Sequence, residues 1–157
     1  MHELVLILHS YTRWWVLAAG VLTLLGSAWA AAARKAWSRR DERLARAFVA
    51  GVDLQVLLGL TLYFGLSPLA RFARALWSAG GLGALSRAFE AAFFGVLHPA
   101  LMLLGAVILH AGWIATRRAE PPARRRRLVL SVALALLTMA VAVPWPFLGH
   151  DRPWFRF

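Results

Sequence analysis

The chain has no cysteine among its 157 residues. That absence excludes thiol catalysis, disulfides, iron–sulfur clusters held by thiolates and covalent haem attachment through thioethers. Acidic side chains are scarce too, with 7 Asp and Glu against 18 Lys and Arg. In a soluble protein a formal charge of +11 would suggest nucleic acid. Here the basic residues cluster beside long apolar runs, so membrane orientation accounts for them and no nucleic-acid partner is expected. Lysine is almost missing, with Lys35 set among many arginines, which suggests a GC-rich bacterial genome. No compact metal motif such as HExxH occurs.

Apolar length is what the chain has in abundance: 61% of its residues are hydrophobic. Four apolar stretches cover roughly residues 4–33, 48–66, 89–116 and 128–147. Crossing a hydrocarbon core takes about 20 helical residues, and a helix satisfies its own backbone polar groups in lipid. The expected fold is all-α, an integral membrane four-helix antiparallel bundle forming one domain over residues 1–157. The first stretch lacks a basic leader, carries Arg13 and runs beyond a signal-peptide core, so it reads as a retained helix. Four spans and their loops leave no room for a soluble catalytic domain, so chemistry is expected inside the bundle or at its rims.

Charge alternates between the loops. Arg34, Lys35, Arg39, Arg40, Arg43 and Arg46 lie in the first, Arg71, Arg74 and Arg87 in the second, and Arg117, Arg118 and Arg124 through Arg127 in the third. The positive-inside rule then puts loops one and three in the cytoplasm and both termini outside, in a multi-pass protein of the bacterial inner membrane. The second loop carries Leu69, Phe72, Leu76 and Trp77 near helical spacing, followed by Gly80, Gly81 and Gly83. This pattern predicts a short helix in the outer interface between spans two and three. The proline- and aromatic-rich tail after residue 143 is expected in the headgroup region.

Polar residues within spans are costly and therefore mark candidate sites. Counting about 20 residues outward from the basic inner ends places His9, Arg13 and His98 near the outer boundary. His9, Arg13 and Gly20 share one helix face, and His98, Gly105 and Gly112 share another. A histidine above glycines suits a flat macrocycle, with imidazole on iron, room over the glycines and Arg13 near a propionate. Glycines in membrane helices also permit close helix packing. His110 is offset from His98 by about 120° around the helix, so the two do not share a face. Asp53, Gln55 and His110 fall in the inner half, where an Asp53–His110 pair would serve proton uptake or bundle cohesion. A competing outer set, His9, His98 and His150 with Asp151, could take zinc or copper.

The segments HSYTRWW at 9–15, DLQVLLGLTLYFGLSP at 53–68, GVLHPALML at 95–103 and PWPF at 144–147 resemble small four-helix bacterial membrane proteins labelled cytochrome b-like. The resemblance implies His9 and His98 as site residues and a structural role for Trp145 and its flanking prolines. Some members of that group carry histidine where this chain has Asp53, so a second haem or metal site is not implied. A dihaem arrangement with paired histidines at both membrane faces is not met. The leading expectation is a b-type haem protein that moves electrons near the outer face, with haem b on His9 and His98 and a quinol entering near Arg13. The second reading is a non-catalytic accessory subunit of a larger respiratory or photosynthetic complex, or a homo-oligomer. The third is a metal or ion transporter, which Asp53 as the one deep carboxylate and the lack of a repeat argue against.

Overall fold

The computed structural model describes residues 1–148 and 153–155, so His150 and Asp151 lie outside the described residues. Among the described residues the secondary structure is all helical. The order is α1 (His2–Ala32), α2 (Arg39–Thr61), a π-helical turn (Leu62–Leu66), α3 (Pro68–Leu85), α4 (Phe89–Ala92), a second π-helical turn (Phe93–Leu97), α5 (His98–Arg117) and α6 (Pro121–Ala142). Helix α1 packs on α2 and α6, and α5 packs on α6 and α2.

Three segments are long and apolar enough to cross a membrane: His2–Ala32, Arg39–Leu66 and Phe89–Arg117. The fourth expected span is shorter than its sequence suggested. Helix α6 stops at Ala142, whereas the apolar run continues to residue 147. Pro144 disfavours the helical conformation for the residue before it, and Val143 is extended at φ −68° and ψ 129°. Arginines also occupy the first turns of α6, so its apolar part, 128–142, is only about 22 Å long at 1.5 Å per residue.

The distribution of side chains is the reverse of a water-soluble bundle. Helix α1 buries Ser10, Val16, Ala19, Gly20, Thr23, Ser27 and Ala30, spaced by threes and fours for the most part. Its large apolar residues, Leu22, Leu25 and Trp29 among them, point outward. Small residues inside let helices approach closely, and large ones outside meet lipid tails, as membrane bundles require. The buried hydroxyl of Thr23 donates back to the Ala19 carbonyl at 2.7 Å, so it needs no partner from another helix. The core centres on Phe48, Val52, Leu109, Leu128, Val132 and Ala135, all almost fully buried.

One charged contact is buried in this apolar body. Arg125, on the first turns of α6, donates to both carboxylate oxygens of Asp41 at 3.0 and 3.2 Å. Its Nη2 also donates to the carbonyls of Lys35 and Ala36 at 3.2 and 2.8 Å. Asp41 in turn accepts from the Ser38 backbone N–H at 2.8 Å, closing a capping box at the start of α2. Both side chains are 10% exposed or less. The pair ties the α1–α2 connection to the root of α6.

Removing one partner leaves the other charge buried and unpaired, which costs about 3–5 kcal/mol. Arg125→Ala should therefore lower stability by an amount of that order. Exposed Arg126→Ala should change it by less than about 0.5 kcal/mol. Thermal or denaturant unfolding in a fixed detergent checks this, and equal effects of the two substitutions would contradict the buried ion pair.

Candidate functional site

Prolines build the end of the molecule that holds His9 and His98 by withholding backbone donors. In a regular helix the N–H of residue 99 would bond the carbonyl of residue 95, but Pro99 has none. The helix adopts a π turn over Phe93–Leu97, in which the His98 N–H reaches back to the Phe93 carbonyl. The Gly95 carbonyl instead accepts from the Tyr63 hydroxyl at 3.0 Å. Tyr63 lies in the other π turn, Leu62–Leu66, where the Ser67 N–H bonds the Leu62 carbonyl at 2.8 Å. The Tyr63 carbonyl released by that shift accepts from Arg74 of α3. Each π turn ends at a proline, Pro68 or Pro99, and such turns often mark functional sites.

The end of α6 follows the same rule. Pro144 cannot donate to the Ala140 carbonyl, which accepts from Trp145 Nε1 at 2.8 Å. Pro146 cannot donate to the Ala142 carbonyl, which lies 2.8 Å from His98 Nδ1. A carbonyl only accepts, so His98 Nδ1 is the donor in this bond.

His9 is held from the opposite side by α2. Gln55 Nε2 donates to the His9 carbonyl at 3.0 Å and lies 3.3 Å from His9 Nε2. Thr12 donates to Gln55 Oε1, which orients the amide. His9 Nδ1 is buried and has no hydrogen-bond partner among the described residues. A Cβ added at Gly59 would lie 3.2 Å from His9 Cε1, so the bare glycine leaves the ring its place.

The two histidines meet. The His9 and His98 ring centroids are 6.3 Å apart with planes at 75°. His98 also lies beside Phe93 and Phe94, at centroid distances of 6.0 and 5.8 Å. Both imidazoles line a cavity of about 370 Å³ with walls from α1, α2, α3, α5, both π turns and the segment after α6. That volume lies in the range of small-molecule pockets, which are mostly apolar with a few convergent polar groups. Here the wall includes Leu6, Val56 and Met102, and the polar groups include Arg13, Gln55 and Tyr63. Arg13 donates to the Trp154 carbonyl at 3.1 Å and lies over the Trp14 ring. Trp14 stacks on Trp154 at 5.7 Å, so the tail folds back over the outer end of α1.

The glycine expectations need correction. A Cβ at Gly20 would come within 2.6 Å of Leu136 and 2.8 Å of Phe48, and one at Gly105 within 2.8 Å of Met139. These glycines are closed by helix packing and offer no room for a ring. The glycine beside the cavity histidine is Gly59; sequence reasoning missed Gly59, Tyr63 and Pro99 in the cavity wall and Thr12, which orients Gln55. A usable signal lay in two segments that each run two aromatics and a glycine toward a proline, residues 63–68 and 93–99. Among the described residues no group of three or more His, Cys, Asp or Glu could hold a metal ion, and the expected outer set for zinc or copper includes His150 and Asp151, which lie outside the described residues.

The inner polar residues lie apart from this site. His110 Nε2 is 2.7 Å from Asp53 Oδ1, but both side chains are about half exposed on the outer surface of α2 and α5. Gln55 belongs to the cavity and takes no part in that pair. Comparison with protein families, curated proteins and solved structures finds no match to the chain.

The two kinds of glycine separate experimentally. Gly20→Ala should lower stability by about 1–3 kcal/mol through overpacking and leave the cavity open. Gly59→Leu should displace His9 and fill cavity space. Unfolding curves read the first, and binding of an environment-sensitive apolar dye reads the second. Loss of dye binding in Gly20→Ala with retention in Gly59→Leu would reverse the assignment.

Proposed function

We propose that this chain is a b-type haem protein of the bacterial inner membrane, with His9 and His98 as the residues that would hold its iron. The observation that carries the reading is the approach of the two imidazoles across an apolar cavity. The ring centroids of His9 and His98 are 6.3 Å apart and both rings line the cavity, so both imidazoles could be offered to one group bound there.

The donor chemistry fits in part without change. Ligating histidines ordinarily donate their second ring nitrogen to a carbonyl or carboxylate, and His98 does so to Ala142. His9 has an orphaned buried Nδ1 and an Nε2 that meets only the long 3.3 Å contact with Gln55. Turning the ring away from that contact releases Nε2, while Gln55 keeps its bond to the His9 carbonyl. Arg13 supplies a cation at the cavity wall for a propionate. Bound there, haem would supply one-electron transfer. The residues of the chain hold its ligands, exclude water with apolar walls and leave an entry for a hydrophobic quinol beside Arg13.

The bundle reading accompanies this proposal. Helices α1, α2, α5 and α6 form a four-helix antiparallel membrane bundle, with α6 as a short fourth span whose arginines snorkel to the inner headgroups. Helix α3 lies in the outer interface with Phe72 and Trp77 exposed. Both termini are then outside, as the loop charges favour.

Protein purified after expression with ample haem should show a low-spin spectrum on dithionite reduction. His9→Ala or His98→Ala should abolish it while the chain still inserts, and His110→Ala should leave it intact. A wild type without haem absorbance refutes the reading and leaves the cavity to an apolar ligand such as a quinone. Topology is tested separately by Ala123→Cys in this cysteine-free chain. An impermeant thiol reagent should fail to label it in intact cells and succeed in opened ones, and labelling of intact cells would overturn the assignment.

A further inference from the structure

The Asp53–His110 pair is out of keeping with the surface that carries it. Asp53 is seven residues from Arg46 and His110 seven residues from Arg117, so each lies about 10 Å along its helix from a basic rim. Their side chains are 54% and 45% exposed, and the surrounding outer face is formed by Leu54, Leu57, Val107 and Ile114. Intramembrane ionisable residues ordinarily face a bundle interior or a wet cavity, because hydrocarbon costs a carboxylate or cation about 2.5–3.5 kcal/mol even by the mildest scales.

The pair satisfies itself only by half. His110 Nε2 donates to Asp53 Oδ1, and among the described residues neither Asp53 Oδ2 nor His110 Nδ1 makes another hydrogen bond. The pair thus leaves one carboxylate oxygen, Oδ2, and one ring nitrogen, Nδ1, for a partner on this face.

We propose that this face is covered by a second copy of the chain, related by a two-fold axis along the membrane normal. Such an axis repeats every residue at the same depth, so Asp53 Oδ2 and His110 Nδ1 of one copy meet His110 Nδ1 and Asp53 Oδ2 of the other. The four side chains close a ring in which each His110 bridges two Asp53 carboxylates. An unrelated helix would need its own donor and acceptor at that depth, whereas a second copy brings both. Exposed Ala50 and Ala111, on the same two helices, keep the approach uncrowded. The inference does not rest on the haem reading and holds with or without it.

The test uses full-length protein in native membranes. Ala111→Cys, the sole cysteine of its chain, should give a covalent dimer under mild oxidation. Leu134→Cys, equally exposed to lipid but on α6, should give at least tenfold less. Asp53→Leu with His110→Leu, which leaves neither group unpaired, should cut the Ala111→Cys dimer at least tenfold while helicity by circular dichroism is unchanged. Equal cross-linking from positions 111 and 134, no dimer from 111, or a cross-link from 111 to a different protein would each overturn the proposal. If the double substitution does not fold, the contrast between positions 111 and 134 decides alone.

Discussion

A proline in a membrane helix removes a donor from a carbonyl that lipid cannot satisfy, so another group must supply it. The end of this protein that holds His9 and His98 is organised by three such debts, at Gly95, Ala140 and Ala142. Tyr63 answers the first, Trp145 the second and His98 the third. Each replacement fixes a relation between segments. Tyr63 joins the two π turns, Trp145 folds the chain after α6 against its own helix, and His98 joins α5 to the end of α6. The cavity is the space these ties leave between helices that elsewhere touch through glycine and alanine.

The inner end relies on charge. The Asp41 carboxylate caps α2 and holds Arg125, which in turn covers two carbonyls past the end of α1. Arg127 donates to the Ala115 carbonyl of α5, and Arg124 to that of Ala119. The basic cluster thus also completes the helix ends. Prolines shape the end with few charges, and arginines close the end with many.

Much of this was legible from the sequence. Apolar length bounded by basic residues located the long helices, and counting from the basic ends put His9 and His98 at one height. What the count could not tell was which partner each helix face meets. Gly20 and Gly105 share a face with their histidines, as expected, but Leu136, Phe48 and Met139 arrive from distant parts of the chain to fill them. Arg125 was hidden among four consecutive arginines, where only helical phase distinguishes the buried one. Asp53 and His110 could be matched by depth, yet nothing local announces that they face outward. The early end of α6 was readable in principle, since Val143 precedes a proline.

The bond between His98 and Ala142 also bears on the order of assembly. Synthesis runs from the N-terminus, so α1 and α5 enter the membrane before the carbonyl at residue 142 exists. Until α6 has been inserted and has ended, the His98 ring lacks the acceptor that Ala142 supplies in the finished fold. This tie between the third long helix and the last one therefore forms only when the last one is in place.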